Sequence, residues 1–307
     1  MIDKLKRLFF HLKNNPNVVA IYMLVNFGGW IPDYLYVKLV YRLSVGVWPN
    51  LSNPVTLGEK LQWLKLYNHK PVYSIMADKV RMKDFAKEVI GEEYIVPTLG
   101  VWDDPDDIDF SLLPEQFVLK CNHNSGTGMF ICEDKSLLDE KEVRENLKKG
   151  LRENYFKIWR EWSYKDIKRK IIGEVLLKTT REDGELLDYK FWCCDGTPIF
   201  CQILSNKTHE VSVYDMDWNK VKDLLIIDKK YSIYRKSEIE RPIYFEQMKD
   251  CASKLSKGVP FLRVDFYETD KLYLGELTFY PTGGWGNLNL KEHSDRLASM
   301  IKISFEK

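Results

Sequence analysis

Seven short segments after Pro114 constrain the fold of this 307-residue chain more than any other feature. Each is rich in β-branched, aromatic or aliphatic residues, which is typical of β-strands. Two longer segments with helical periodicity separate them, from Glu140 to about Tyr155 and from Phe245 to Lys257. We therefore expect mainly antiparallel sheet with helices packed against it, the α+β class. The seven segments are 117–120, 129–132, 171–177, 187–194, 198–203, 261–267 and 272–278.

The part of the chain before Pro114 is predicted to be mainly helical. Helical patterns cover 31–45, 56–67 and 73–89, and the second of them opens with a capping box at Thr56 and Glu59. The run 94–97 is strand-like. Pro and Asn residues between 48 and 54 are typical of a linker. We therefore expect an N-terminal helical extension over 1–50 and a helical and α/β segment over 51–115.

The charge balance argues against a nucleic-acid-binding protein. There are 46 Lys and Arg residues against 45 Asp and Glu, a net charge of +1, whereas neutralising phosphates usually requires a basic surplus. The six cysteines include no C-x-x-C pair. Scattered cysteines within apolar runs are typical of reduced thiols rather than of disulfides or a zinc site. The sequence therefore predicts a cytoplasmic protein with no nucleic-acid partner.

Residues 1–16 place apolar side chains on one helical face and basic side chains elsewhere. Such a helix could rest on the anionic inner face of a membrane, and the alternative is a helix packed on its own domain. The longest apolar stretch, 18–31, contains Asn26 and falls short of the ~18 residues that a membrane span needs. Any membrane contact is therefore expected to be peripheral. The apolar face carries Ile2, Leu5, Leu8, Phe9 and Leu12, and the basic residues are Lys4, Lys6, Arg7 and Lys13.

A loop of small residues between two predicted strands is a candidate anion site. Lys120 ends the first strand, and a glycine-containing loop follows it. Backbone N–H groups of such a loop can converge on a phosphate, and a lysine adds positive charge. The alternative is an ordinary hairpin with an exposed lysine. The loop residues of interest are Asn124, Ser125, Gly126, Thr127 and Gly128.

The last two predicted strands carry the strongest chemical signal. If the chain turns at Asp270 and Lys271, Asp265 lies opposite Glu276, and Arg263 lies opposite position 278. Carboxylates paired in this way are ~4.5–5.5 Å apart at Cβ and repel each other. A Mg²⁺ ion held by both would neutralise them, and Arg263 could stabilise a transferred phosphoryl group. The alternative is a salt bridge from Arg263 to either carboxylate.

Two further strand residues are candidate nucleotide contacts. Glu174 is the single carboxylate of an apolar strand and could accept a hydrogen bond from an adenine amino group or a ribose hydroxyl, with backbone groups nearby, as at Leu176, reading the base. Lys190 shares one strand face with Asp188 and Trp192 and could face the nucleotide. The alternatives are a glutamate and a lysine that face water.

Taken in order, these segments resemble the ATP-grasp superfamily and, more closely, its branch similar to the teichuronopeptide biosynthesis protein TupA. The resemblance covers about 53–279 and rests on the joint order of several segments. It implies an ATP-grasp fold, in which two α+β subdomains grip a nucleotide, here 116–175 with the glycine loop and 176–307 with the metal hairpin. The segments are 57–67, 78–79, 91–97, 117–120, 186–191 and 275–278.

The same resemblance implies ATP and Mg²⁺ as cofactors and assigns roles to residues. Lys79 and Lys120 match the lysines that contact nucleotide phosphates, and the glycine loop 122–128 and Glu174 match further nucleotide contacts. Arg263 matches the family's arginine. Thr278 stands where many relatives have Asn, and a hydroxyl is a weaker ligand, so a second metal ion is in doubt. The implied set is Arg263 and Lys120 for catalysis, Lys79, Lys120, Asn124, Ser125, Gly126, Thr127, Gly128, Glu174, Leu176 and Lys190 for the nucleotide, and Asp265, Glu276 and Thr278 for the metal.

The reaction implied by the resemblance is ATP-dependent ligation of a carboxylate to an amine through an acyl phosphate. TupA-like relatives suggest a small-molecule or glycan carboxylate, a uronic acid of a cell-surface polysaccharide, and an amino acid or other amine. We further hypothesise that Gly283, Gly284 and Trp285 line the acceptor pocket, with Trp285 stacked on a sugar. The alternative for Trp285 is a core tryptophan in a glycine-rich turn.

Two other functions remain open from the sequence. The first is a nucleotide-sugar-dependent glycosyltransferase that uses Asp265 and Glu276 for its metal, with Asp215 and Asp217 as a second acidic pair. The second is a membrane-docked scaffold without catalysis that acts through its basic N-terminal helix.

Overall fold

Two β-sheets lie between Thr98 and Thr278 in the computed structural model, which describes residues 16–222, 224, 233–285 and 288–304. A four-stranded sheet has the order β1-β4-β2-β3, and a six-stranded sheet has the order β10-β9-β5-β6-β7-β8. Neighbouring strands are antiparallel except β7 and β8. The strands are β1 Thr98–Trp102, β2 Phe117–Cys121, β3 Met129–Cys132, β4 Ile171–Val175, β5 Leu187–Cys194, β6 Thr197–Ser205, β7 Glu210–Tyr214, β8 Ile233–Tyr234, β9 Leu262–Glu268 and β10 Leu272–Thr278.

Helices lie before, between and after these strands, so the predicted α+β class is confirmed. The predicted capping box is also confirmed. The Thr56 side chain accepts a hydrogen bond from the backbone N–H of Glu59, and the Glu59 carboxylate accepts one from the backbone N–H of Thr56. The predicted helix over 1–16 lies outside the described residues, except for its last position. The helices are α1 Pro16–Phe27, α2 Asp33–Val45, α3 Leu57–Tyr67, α4 Pro71–Ala77, α5 Arg81–Ile90, α6 Glu140–Arg152, α7 Tyr155–Trp159, α8 Phe245–Ser256 and α9 Lys291–Met300.

The predicted helix over 73–89 is wrong in one respect, because it breaks at Asp78. The Asp78 backbone is extended, and its carboxylate accepts hydrogen bonds from the backbone N–H of Val80 at 2.9 Å and from Nδ2 of Asn122 at 2.8 Å. An aspartate that bonds to nearby backbone groups competes with the helix. The break places Lys79 against the loop that follows β2, where its N–H donates to the carbonyl of Asn122 at 3.1 Å.

All seven predicted strands are present, and three strands were missed: β1, β7 and β8. The run 94–97 is not a strand, because a 3-10 turn covers Glu92–Tyr94 and the strand starts at Thr98. The predicted helix from Glu140 also ends early, at Arg152, and Asn154 caps a separate short helix. These differences follow from tertiary pairing and side-chain caps, which periodicity does not detect.

Each sheet buries its own apolar core. Helix α8 packs on β5, β6 and β9 of the six-stranded sheet. Its buried Phe245 shares one apolar core with Phe191 of β5 and Phe266 of β9. Helix α6 packs on β2 and β3 of the four-stranded sheet, with Leu147 against Leu119. Each sheet therefore has an interior of its own and can present polar side chains at its edges.

The described part of the chain contains no helix that is both long and apolar enough to cross a membrane.

Candidate functional site

The hairpin of β9 and β10 places two carboxylates side by side. Asp265 lies opposite Glu276, and Arg263 lies opposite Thr278, so the predicted register at these positions is confirmed. The turn itself is one residue longer than predicted, because Leu272 pairs with Glu268 rather than with Thr269. An irregularity at Gly275 restores the predicted pairing. A Cβ at Gly275 would lie 2.9 Å from the ring of Tyr267, so glycine fits this bulge.

Arg263 lies between the two carboxylates and neutralises both. Its Nε and Nη2 donate to Oδ1 and Oδ2 of Asp265, each at 2.7 Å. The same Nη2 lies 3.0 Å from Oε1 of Glu276, to which the hydroxyl of Thr278 also donates at 2.7 Å. Burial lowers the pKa of Arg263, but Asp265 and Glu276 raise it more, so the guanidinium stays charged. The salt bridge that the sequence left as an alternative therefore forms, and it reaches both acids.

Lys190 of β5 supplies a second cation to Asp265. The two residues pair across neighbouring strands, and the ammonium bonds to Oδ2 of Asp265 and, at 2.6 Å, to Oδ2 of Asp188. Burial raises the pKa of Asp188 to about 6, although Lys190 lowers it. Oδ1 of Asp188 is buried and has no hydrogen-bond partner among the residues that the structure describes. Asp188 was not singled out from the sequence, because strand alternation gave only its face and not its partners.

Glu174 of β4 holds two lysines in the four-stranded sheet. Lys120 and Lys83 each place Nζ 2.5 Å from one oxygen of its carboxylate. Burial alone would raise the pKa of Glu174, but the two lysines lower it, so the carboxylate is ionised. Lys83 also donates to the carbonyl of Val96 at 2.5 Å. Sequence reasoning missed Lys83, which lies on the buried face of α5 and gives no signal without the neighbouring strand.

The glycine loop closes around Lys79. The Lys79 ammonium donates to the carbonyl of Asn124 at 2.6 Å, whereas the Asn124 side chain donates to Glu153 at 2.9 Å at the end of α6. Gly128 is buried with φ +72°, and a Cβ there would lie 2.9 Å from Cα of Gly150. The loop is therefore anchored at Asn124 and Gly128. Between them Ser125 and Gly126 are exposed and Thr127 is half-buried, so these three positions are accessible to a ligand.

Cations from the glycine loop region and from the six-stranded sheet lower the pKa of Glu276. Burial would raise its pKa, but Lys79, Arg263 and Lys190 hold it at about 2. Lys79 follows the break between α4 and α5 and contacts the glycine loop, so the loop and the hairpin lie within electrostatic range of each other. Burial lowers the pKa of Lys79, and the negative charge of Glu276 offsets part of this effect. Four of the predicted site residues therefore converge: Lys79, Lys120, Arg263 and Glu276.

The donor set fits one Mg²⁺ ion better than two. Asp265 accepts three hydrogen bonds from Arg263 and Lys190, which leaves about one lone pair for a metal. Both bonds to Glu276 reach Oε1, and 37% of this side chain is exposed. The described residues contain no group of three or more His, Cys, Asp or Glu side chains that could hold a metal. Mg²⁺ needs only one or two carboxylates when phosphates and water complete its shell.

Leu176 and Trp285, two of the remaining predicted residues, have different surroundings. Leu176 follows β4 and lines an open groove of ≈ 610 Å³ with Gln116 and Lys178. Trp285 packs against Tyr41 and Trp159, with ring centroids 6.1 and 6.0 Å away. This packing agrees with the alternative of a structural tryptophan.

Two side chains of α3 donate hydrogen bonds to the carbonyls of Gly283 and Gly284. Gly283 accepts hydrogen bonds from Lys65 at 2.7 Å and Gln62 at 3.0 Å, and Gly284 accepts one from Gln62 at 2.7 Å. Asp215 of the second acidic pair accepts from the backbone of Asp217 at 3.0 Å and so stabilises its own turn. These contacts give the glycine turn and the Asp215 turn structural roles.

One protein family and several solved structures are similar to this chain. The sequence matches the family described as TupA-like ATPgrasp over residues 59–302. Comparison with curated proteins finds no match. Among solved structures, the fold is similar to the ATP-grasp ligase PsnB in complex with precursor peptide PsnA2 and AMPPNP, with 14% identity and a TM-score of 0.40, covering 80% of this chain and 65% of that chain.

A second similar structure is D-alanine--D-alanine ligase from Bacillus anthracis in complex with ATP, with 16% identity, a TM-score of 0.39, and coverage of 79% of this chain and 65% of that chain. A third is D-cycloserine synthetase DcsG, with 13% identity, a TM-score of 0.40, and coverage of 75% and 70%. The chain thus spans just under two thirds of the length of the first two structures.

Proposed function

Since the chain belongs to the TupA-like ATP-grasp family, we propose that it is an ATP-dependent carboxylate-amine ligase that works through an acyl phosphate. The family match confirms the ATP-grasp fold predicted from the sequence. The observation that carries the proposal is a pair of fixed charge clusters. Lys79 and Lys120 are anchored by Asn124 and Glu174, and Arg263 bonds to both Asp265 and Glu276. Transfer of a phosphoryl group requires such a lysine-rich phosphate cradle and such a carboxylate hairpin.

The cradle binds the phosphates of ATP through Lys79, Lys120 and the backbone of 125–127. Glu174 holds Lys120 in place by the ion pair at 2.5 Å, so the ammonium needs little reorganisation when the nucleotide arrives. The carbonyl of Asn124 holds Lys79 in the same way at 2.6 Å. Both lysines are therefore positioned before ATP binds, which lowers the entropic cost of binding.

The hairpin neutralises charge at the transferred phosphoryl group. Glu276 and Asp265 are the residues that would hold Mg²⁺, which supplies positive charge to phosphate oxygens. Arg263 is fixed by both carboxylates and has further N–H donors for a phosphoryl oxygen. In the first step a substrate carboxylate attacks the γ-phosphate, which gives an acyl phosphate and ADP. In the second step an amine displaces phosphate, and the residues above align the reactants.

The carboxylate is proposed to be a uronic acid in the biosynthesis of a cell-surface polysaccharide, and the amine an amino acid. The support for this assignment is the resemblance to the TupA-like branch, together with the family match over 59–302. The glycosyltransferase alternative has less support, because the bonds of Asp215 lie within its own turn.

We expect ADP release and hydroxamate formation when the protein is incubated with Mg-ATP, hydroxylamine and one member of a uronate panel. The panel contains glucuronate, galacturonate and UDP-glucuronate. Hydroxylamine traps acyl phosphates as hydroxamates, which form a coloured iron complex. Reactions without ATP and reactions with glucose in place of glucuronate serve as controls. Absence of hydroxamate with every uronate would exclude the uronate assignment, and transfer of sugar from UDP-glucuronate would instead support the glycosyltransferase.

The N-terminal helices carry an exposed apolar surface, for which we propose contact with an anionic membrane. On the segment 22–35, which we call the N-terminal apolar surface, Trp30 is 83% exposed and Phe27 is 65% exposed. Residues 14–32 contain no charged side chain, and Lys4, Lys6, Arg7 and Lys13 precede them. Aromatic side chains beside a basic segment match the charge and polarity of an anionic lipid interface. The other exposed members are Tyr22, Met23, Tyr34 and Leu35.

The double variant Phe27→Ser, Trp30→Ser is expected to lose most of its co-sedimentation with vesicles that contain phosphatidylglycerol. Ile243→Ser is the matched control, because Ile243 is 89% exposed and lies outside the N-terminal apolar surface. Wild-type protein that fails to sediment with these vesicles would refute the membrane proposal. Self-association that the double variant abolishes would identify the surface as a contact between two copies instead.

A further inference from the structure

Lys83 is a buried lysine that has no part in the mechanism described so far. It lies in the first turn of α5, four positions after Lys79, and only 9% of the residue is exposed. Lysines are almost never buried to this extent unless they are paired. The partners of Lys83 therefore indicate what its charge does in the folded protein.

The Lys83 ammonium is fixed by two acceptors on different parts of the chain. Its Nζ lies 2.5 Å from Oε1 of Glu174 on β4 and donates to the carbonyl of Val96 at 2.5 Å. Burial lowers the pKa of Lys83, and the charge of Glu174 opposes this effect. An ammonium group with an ion pair and a second acceptor is held in one position, so Lys83 is a fixed charge.

The carbonyl to which Lys83 donates belongs to a segment that contacts both sheets. Ile95 forms a parallel bridge with Leu274 of β10 in the six-stranded sheet. The carbonyl of Pro97 accepts a hydrogen bond from the backbone N–H of Val175 in the four-stranded sheet at 3.3 Å. Lys83 is therefore held where this segment joins the two sheets, and its position is set by the fold before a nucleotide binds.

Lys83 and Lys120 share the carboxylate of Glu174, and each takes one oxygen. Lys83 faces Oε1 and Lys120 faces Oε2, both at 2.5 Å. Two ammonium groups on one carboxylate leave one positive charge uncompensated. Lys120 has the most exposed side chain of the three, so this surplus charge is most accessible to a ligand at Lys120. Without Lys83, Glu174 would neutralise Lys120 alone.

We propose that Lys83 is a positioning residue for nucleotide binding, which occupies one oxygen of Glu174 and thereby leaves the charge of Lys120 available to the phosphates of ATP. This inference rests on the proposed ligase function. Lys83 acts through Glu174 and needs no contact with the nucleotide. A positive charge that is only partly screened by water attracts a phosphate more strongly than a neutral ion pair does.

The second lysine is an unfavourable feature unless an anion binds. Lys83 and Lys120 repel each other across Glu174, and Lys83 also loses hydration on burial. One lysine would be enough to neutralise Glu174 in a purely structural ion pair. A phosphate beside Lys120 relieves the repulsion between the two ammonium groups, so the arrangement of three charges is matched to an anionic ligand.

The test is a calorimetric titration with Mg-ATP of variants that separate charge from hydrogen bonding. Lys83→Gln keeps an N–H donor for the carbonyl of Val96 but removes the charge, and its dissociation constant is expected to rise by about five- to tenfold. Lys83→Arg retains the charge and is expected to stay within about twofold of the wild type. Lys87→Gln is the matched control on α5, because Lys87 forms an exposed pair with Glu92. Its removal is expected to change the dissociation constant by less than about twofold.

Two results would overturn the inference. Binding by Lys83→Gln as tight as that of Lys87→Gln would show that the charge of Lys83 does not reach the phosphates. Equal weakening in Lys83→Arg and Lys83→Gln would make Lys83 a packing residue. A wild type that does not bind Mg-ATP would remove the proposed nucleotide site itself, which is a separate failure. Urea denaturation checks that each variant folds, and if Lys83→Gln does not, Lys83→Met is measured in its place with the same expectation.

Discussion

Arg263→Met is expected to abolish hydroxamate formation and to lower the free energy of unfolding by about 3–5 kcal/mol. The side chain of Asp265 is 2% exposed, so the substitution leaves a buried carboxylate that keeps only Lys190 as a charged partner. It also leaves Asp265 and Glu276 opposite each other on neighbouring strands, where like charges repel. Urea denaturation measures the loss of stability, and the hydroxamate assay measures the loss of activity.

Arg241→Met provides the matched control for this prediction. Arg241 pairs with Glu246, and both side chains are at least half exposed, so its removal is expected to cost about 1 kcal/mol or less. An unfolding free energy for Arg263→Met close to that of Arg241→Met would contradict the placement of Arg263 in a buried ion network. Retained ligation in Arg263→Met would contradict its role at the phosphoryl group.

Glu174→Gln is expected to cost a similar amount, about 3–5 kcal/mol. The substitution removes the shared partner of Lys83 and Lys120, whose side chains are 11% and 21% exposed. The two ammonium groups then repel each other without compensation. Because Lys120 loses its anchor, the affinity for Mg-ATP is also expected to fall. Urea denaturation and calorimetric titration with Mg-ATP measure the two effects.

Glu92→Gln removes the corresponding charge from an exposed pair. Glu92 and Lys87 keep 75% and 50% of their side chains exposed, and exposed pairs contribute about 0–1 kcal/mol. A loss of stability in Glu174→Gln no larger than in Glu92→Gln would show that Glu174 is not the shared partner of two buried lysines.

The sequence was most informative where pairing is local. In the hairpin of β9 and β10, alternation and a short turn are enough to place Asp265 opposite Glu276, and the structure agrees. The agreement depends on the bulge at Gly275, which compensates for a turn one residue longer than predicted. A lone glycine within a strand pattern is a signal for such a bulge, so this feature was accessible but was not used.

The sequence was least informative where a contact joins distant segments. Lys83 and Glu174 are 91 positions apart in the printed sequence, and nothing in the helix that carries Lys83 indicates a buried ion pair. Family resemblance located the phosphate lysines and the hairpin, whereas the residues that hold them in place required the three-dimensional arrangement.

The most direct test of the central claim is a calorimetric titration of the wild type and Lys120→Met with Mg-ATP. In Lys120→Met the pair of Glu174 with Lys83 remains, so the variant is expected to fold. We expect the wild type to bind Mg-ATP and to gain about 2.7 kcal/mol of stability at 100 times the dissociation constant. Lys120→Met is expected to bind at least about tenfold more weakly, since it loses one charge-assisted phosphate contact. A wild type that does not bind Mg-ATP, or a variant that binds it equally well, would contradict the proposed nucleotide site.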